Sequence, residues 1–153
     1  MGVPLTEAES KAVRLLTPPS RPEGETSLTG MVEIIEKGRY RTDDFCGELA
    51  EARDGNRQLG TRLLFRNDEV GVWEIRLQPG ERGSFHLHDR HYFWTVVKGG
   101  IGKQRTADGV YHIRCYEEGD TSFLPHTPSD SVIHDFENAG DTEIRFITVE
   151  LYD

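Results

Sequence analysis

Two histidines separated by one residue, His86 and His88, stand between a glycine-containing turn and a run of aromatic and β-branched residues. If this segment is a strand, its side chains alternate between two faces, so both imidazoles lie on the same face. They can then reach one metal ion, at about 2.0–2.1 Å per bond for a zinc-like ion. A third histidine, His134, lies in a later strand-like segment. Three imidazoles around one ion leave coordination positions open, which is more typical of a catalytic metal site than of a structural one.

The segments that must position these histidines read as an all-β domain. From residue 61 onward, short β-branched and aromatic runs alternate with turns rich in glycine, asparagine and aspartate. Such even spacing indicates a sandwich or barrel and not alternating strand–helix units. We predict strands at 61–66, 70–77, 84–88, 92–97, 101–106, 110–116, 121–125, 132–136 and 143–151.

The first 59 residues have a different character. Thr6 and Glu9 fit a capping box that begins a helix, and the prolines that follow residue 16 end it. We expect an extended connector, then a strand at 30–36, and a short helix or an irregular segment at 43–53. The chain therefore divides into an N-terminal extension, residues 1–59, and a barrel, residues 60–153.

Composition narrows the class of protein. The chain has 153 residues, enough for one domain, and a formal net charge of −9. This charge would repel nucleic-acid phosphates and an anionic membrane surface, so we expect neither as a partner. No secretory signal and no apolar run near the roughly 20 residues of a membrane span is visible. Cys46 and Cys115 form no Cys-x-x-Cys pair, and we expect a cytoplasmic protein without a disulfide framework.

The histidine pair is part of a longer spacing pattern. Gly80 is followed by five residues and then by His86 and His88, after which Tyr92 and Gly99 complete the pattern. This spacing resembles the first motif of the cupin superfamily, except that tyrosine stands where the cupin motif has glutamate.

A second pattern resembles the second cupin motif. Gly119 and Pro125 match its beginning, and His134 and Asn138 match its end, with about four extra residues between the halves. The resemblance covers roughly residues 60–151. It implies a cupin double-stranded β-helix, a jelly-roll barrel.

The resemblance implies that His86, His88 and His134 bind one divalent metal ion. Iron is favoured, and zinc, nickel, manganese or copper would also suit imidazole ligands. Without the glutamate the bound ion keeps its full +2 charge and acts as a stronger Lewis acid. The alternative is a barrel that has lost its metal, in which the three histidines are polar fillers.

Two further residues are candidates for catalysis. Tyr92 should lie near the metal, where it lines the pocket or donates a hydrogen bond to the substrate; direct ligation is the weakest option. His126, at the expected barrel mouth, could serve as a general base, although a loop histidine without a role is the simpler interpretation. His91 follows a turn that should move it off the ligand face.

Three arginines lie on predicted barrel strands: Arg105, Arg114 and Arg145. One that pointed inward could clamp a substrate carboxylate. Their strand parity is ambiguous, and we expect all three to point outward.

The leading functional hypothesis is a metal-dependent enzyme that acts on a small oxygen-bearing organic molecule, with an iron dioxygenase as the first subclass. The alternatives are a non-redox lyase, isomerase or hydrolase, and a cupin that binds a small molecule without turnover. By analogy with small cupins we also expect a homodimer, with the strand around residues 31–35 as the pairing edge.

Overall fold

Ten strands and one short helix make up the part of the chain that the computed structural model describes, residues 33–152. The strands are β1 (Ile34–Arg39), β2 (Arg62–Arg66), β3 (Val70–Leu77), β4 (Arg82–His88), β5 (Tyr92–Lys98), β6 (Gly100–Arg105), β7 (Val110–Tyr116), β8 (Thr121–Leu124), β9 (Val132–Asn138) and β10 (Ile144–Leu151). A 3-10 turn (Thr42–Phe45) leads into helix α1 (Cys46–Arg53). The all-β prediction is confirmed, whereas the predicted helix at residues 6–16 and the connector at 17–29 lie outside the described residues.

The strands form two antiparallel five-stranded sheets. One has the order β1-β7-β6-β9-β4 and the other the order β2-β3-β10-β5-β8. From β3 to β10 the chain passes repeatedly from one sheet to the other, with the β6–β7 hairpin as the only pair of consecutive strands that stays in one sheet. This connectivity is the double-stranded β-helix, and it brings distant segments to face each other across one interior.

The glycines and the asparagine of the two sequence patterns hold turns. Gly80 and Gly119 have φ angles of 86° and 91°, a conformation that side chains disfavour. The buried Asn138 side chain donates to the carbonyl of Leu77 at 2.9 Å and to that of Thr142 at 2.8 Å. It thereby ties β9 to the end of β3 and to the turn before β10.

The barrel core lies on the inner faces of both sheets. Val96, Tyr116, Ile144 and Phe146 are buried together, with Ile75, Trp94 and Phe136 packed against them. On the face of β5 that carries Tyr92, Val96 belongs to this core and Trp94 packs against it.

The segment before the barrel packs on the barrel. β1 pairs with β7 of the same chain, and its bounds are shifted four residues from the predicted start at residue 30. The segment at 43–53, which sequence left undecided, is a 3-10 turn and a helix. Leu49 and Ala52 of α1 are buried against Phe85 on the outer face of β4. None of the helices within residues 33–152 is long and apolar enough to cross a membrane.

Candidate metal centre

The structure brings the three predicted histidines together. His86 and His134 are direct partners in the β4–β9 ladder, and His88 follows His86 on the same face of β4. One nitrogen from each ring lies within 4.8 Å of the others, and the ring centroids are 4.7 to 4.8 Å apart. The three imidazoles are buried, although His134 as a residue keeps some exposure. Their role as metal ligands stays a prediction that this arrangement permits.

Hydrogen bonds leave one nitrogen of His86 and one of His134 available. Nδ1 of His86 lies 2.9 Å from the carbonyl oxygen of Ser84, to which only a protonated nitrogen can donate. The lone pair of His86 is therefore on Nε2. Nδ1 of His134 contacts the side-chain amide nitrogen of Gln104; with that amide turned by 180°, its oxygen accepts the Nδ1 proton and leaves Nε2 of His134 unprotonated. Partners of this kind orient metal-binding histidines.

His88 shows the strongest sign that a cation belongs here. Its Nε2 lies 3.1 Å from Nε2 of His86, and its buried Nδ1 has no hydrogen-bond partner. Protonated at Nε2, His88 donates to the lone pair of His86 and leaves a buried Nδ1 lone pair without a partner; unprotonated at Nε2, it sets two lone pairs around a position that suits a cation. The residues present therefore fit a divalent ion held by neutral imidazoles.

Burial keeps these imidazoles neutral. It lowers the pKa of His86 to about 4, against a backbone hydrogen bond to Ser84 that acts in the opposite direction. Burial also lowers the pKa of His88 and of His134, and the neighbouring histidines add to the effect. Neutral imidazole is the form that binds metals, so the site is ready for an ion at pH 7 without releasing protons from these rings.

The same shifts predict how stability depends on pH. Because the folded pKa values lie below about 6.5, the unfolded chain binds more protons as the pH falls from 6.5 toward 4. We expect the free energy of unfolding of the metal-free protein to fall over this range, by about 1.4 kcal/mol per pH unit for each histidine that contributes fully. Urea unfolding at pH 7, 6 and 5 measures this slope, and His86→Gln should reduce it. A free energy that stays constant from pH 7 to 5 would contradict the assignment.

A cavity of about 180 Å³ opens beside the three histidines. Its wall combines apolar residues from the barrel core with a few polar groups from both sheets. The residues that line it are Leu59, Ile75, His86, His88, Tyr92, Trp94, Gln104, Arg114, Tyr116, Ser122, Leu124, His134, Phe136, Phe146 and Thr148.

Tyr92 lies against the histidines, as its place in the spacing pattern predicts. Its ring is buried and stacks on the ring of His88, with centroids 3.8 Å apart and planes 11° apart. Burial raises the pKa of Tyr92, so the phenol keeps its proton and remains a hydrogen-bond donor. It lines the pocket; its catalytic role stays a prediction.

His126 lies at the edge of the site. Its ring centroid is 5.9 Å from that of Tyr92 and 6.5 Å from that of His88. Nδ1 of His126 is 2.9 Å from the carbonyl of Asp130, and its backbone N–H donates to Nδ1 of His91 at 3.1 Å. His126 and His91 both lie outside the three-histidine group, as expected for His91. The general-base role of His126 remains untested.

The expectation that all three arginines point outward is wrong for Arg114. Arg105 forms buried ion pairs with Asp135 and Glu137, and Arg145 pairs with Glu74. Arg114 instead lines the cavity, as does Tyr116 on the same strand.

Sequence reasoning did not single out Gln104, Ser122 and Thr148, which also line the cavity, and it expected Arg114 to point outward. Arg114 pairs in register with Gly102, and a Cβ on Gly102 would collide with the buried ring of Phe136. This face of β6 and β7 therefore points inward. The sequence did contain a signal for Arg114. Arg114 and Tyr116 are two residues apart on β7, so they lie on the same face, and an aromatic residue such as Tyr116 indicates the inner face.

Comparisons with known proteins bear on the fold. No protein-family model matches the sequence, and no curated protein matches it significantly. Among solved structures, a cupin domain from Bordetella pertussis Tohama I matches with a TM-score of 0.54 and 24% identity, over 65% of this chain and 97% of that one. An RmlC-like cupin family protein with a double-stranded β-helix fold from Methanocaldococcus jannaschii matches with a TM-score of 0.49 and 19% identity, over 78% of this chain and 94% of that one. The first similarity shows a shared fold.

Proposed function

We infer that this chain, which has the cupin fold, is a mononuclear metal-dependent enzyme acting on a small oxygen-bearing organic molecule. One observation carries the proposal. Three buried imidazoles, kept neutral by burial, converge at the wall of an internal cavity that also holds a cationic side chain. A structural ion would not require such a cavity beside it.

His86, His88 and His134 would hold the ion. We propose ferrous iron and a dioxygenase reaction; such an ion, when bound, supplies either activation of dioxygen or polarisation of a substrate carbonyl. Because the three ligands are neutral, they leave the full positive charge of the ion facing the cavity. An anionic or electron-rich substrate oxygen is the natural partner of that charge.

Arg114 narrows the class of substrate. Among the residues described as lining the cavity it is the only permanently charged one, and no Asp or Glu lines the cavity with it. A guanidinium in a partly enclosed site binds a carboxylate or an enolate oxygen through two parallel hydrogen bonds. We propose that the substrate carries such a group and that Arg114 orients it toward the three histidines.

The phenol of Tyr92 is the proposed hydrogen-bond donor to a substrate oxygen. Its raised pKa keeps the proton in place at neutral pH, and its ring fixes the orientation of His88 by stacking. The described lining residues offer no carboxylate for general acid–base chemistry. The lack of a carboxylate among these residues favours a reaction in which the ion does most of the chemistry. It also suits the second candidate, a protein that binds a small molecule without turnover. In either case we propose a cytoplasmic location, where Cys46 and Cys115 would stay reduced.

Replacing Arg114 by Gln should weaken the binding of an anionic ligand. A charge-assisted bidentate pair is worth about 1.5–3 kcal/mol, so we expect the dissociation constant of oxalate for the zinc-loaded protein to rise by about 10- to 100-fold. Isothermal titration calorimetry measures it, with Arg76→Gln on the protein surface as the control. An unchanged constant for Arg114→Gln would exclude the anionic substrate class.

The enzyme hypothesis is tested by turnover. The iron-loaded protein should consume dioxygen when it is offered small 2-oxo acids or 1,3-dicarbonyl acids, as measured with an oxygen electrode. Stoichiometric metal and tight acid binding without any turnover would favour the second candidate, a cupin that binds its ligand without reaction.

A further inference from the structure

A second cavity, of about 340 Å³, adjoins the first. It lies between β4, which ends its sheet, and β3 of the other sheet, beneath the segment 56–61. It shares four lining residues with the first cavity: Leu59, Ile75, His86 and Phe136. Three apolar side chains and one proposed metal ligand therefore border both spaces.

Gly83 gives this cavity part of its volume. It lies on the inner face of β4 opposite Phe136, and a Cβ built on it would come no closer than 4.0 Å to any heavy atom. Its φ angle is not in the positive region that requires glycine. A glycine inside a strand costs about 0.5–1 kcal/mol relative to alanine, and neither backbone conformation nor close packing demands it here. The irregular register of β4 that begins at Gly83 is one reason for a glycine here, and the space that it leaves in the cavity is a second.

Three polar side chains around this cavity already have partners within the chain. Arg82 forms ion pairs with Glu48 and Asp135, and the hydroxyl of Thr61 donates to the carbonyl of Glu74 at 2.9 Å. The side-chain amide of Asn56 donates to the carbonyl of Phe85 at 3.0 Å. The apolar part of the lining comes from Leu59, Ile75, Leu77 and Phe136.

We propose that the second cavity binds an apolar tail of the substrate, while the anionic head binds beside Arg114 and the three histidines. The proposal rests on the proposed function, and it names the substrate class more closely: an acid with an alkyl or aryl chain. Leu59 and Phe136, which line both cavities, are the side chains over which the chain of the substrate passes.

A pair of 2-oxo acids of different length tests the proposal. We expect the zinc-loaded full chain to bind 2-oxooctanoate at least about 10-fold more tightly than pyruvate, since each buried methylene is favourable. Gly83→Leu should remove this difference and leave the affinity for pyruvate unchanged, and the smaller Gly83→Ala should reduce it in part. The matched control is Gly47→Leu, a glycine of α1 that also has open space around its Cβ.

The outcomes separate the two proposals. If pyruvate binds but 2-oxooctanoate gains nothing, or if the gain survives both substitutions at Gly83, the tail site is wrong and the proposed function stands. If neither acid binds the zinc-loaded protein, the anionic substrate class fails, and the tail site fails with it.

Discussion

Replacing His134 by Ala should abolish stoichiometric metal binding. The loss of a residue that merely orients a ligand costs about 10- to 100-fold in metal affinity, so the loss of one of three ligands should cost more than about 100-fold. His134 is the one member of the group that β9 supplies, and without it only the two histidines of β4 remain. Elemental analysis of the purified variant and calorimetric titration with Zn²⁺ measure the effect.

His112→Ala is the matched control for this prediction. His112 lies on β7 and belongs to neither the three-histidine group nor the lining of the cavity. We expect it to keep the metal content of the wild type. If His134→Ala also kept that content, the three histidines would not be the site.

The second large effect concerns Asp135, the neighbour of His134 on the opposite face of β9. Asp135 is fully buried and accepts hydrogen bonds from the Nη1 atoms of Arg82 and Arg105, each at 2.9 Å, and from the backbone N–H of Arg105 at 2.8 Å. Burial raises the pKa of Asp135 even though these arginines favour its charged form. Removing one partner of a buried ion network leaves uncompensated charge, which costs about 3–5 kcal/mol.

Asp135→Asn should therefore lower the free energy of unfolding by about 3–5 kcal/mol, as measured by urea denaturation at pH 7. Glu143→Gln is the control, because Glu143 pairs with Arg76 at the surface and such pairs contribute about 0–1 kcal/mol. A loss below about 1 kcal/mol for Asp135→Asn would show that the network does not hold β9 in place. The same network reaches α1 through Glu48, so the N-terminal segment stabilises the strand that carries His134.

The histidines could be predicted from a local rule and a resemblance. Alternation along a strand puts His86 and His88 on one face, and the match of His134 to the second cupin motif implied that it joins them. The register in the structure, with His86 opposite His134, is what this reasoning requires. Residues whose placement follows from strand period and turn chemistry are therefore within the reach of sequence.

The inward orientation of Arg114 could not be predicted from the sequence, and the reason is physical. The sequence of β7 does not alternate between apolar and polar residues, because this strand has partly buried side chains along most of its length. Its inner face is fixed by pairing with β6, where Gly102 lies under Phe136. The two cavities likewise depend on the distance between sheets and on segment 56–61, which only tertiary packing determines.

X-ray absorption of the full chain loaded with one equivalent of iron tests the central claim most directly. The account predicts one bound ion per chain with scattering from three imidazole rings, and the loss of that signal in His134→Ala. Binding of only trace iron, or an ion coordinated by fewer than two imidazoles, would contradict it.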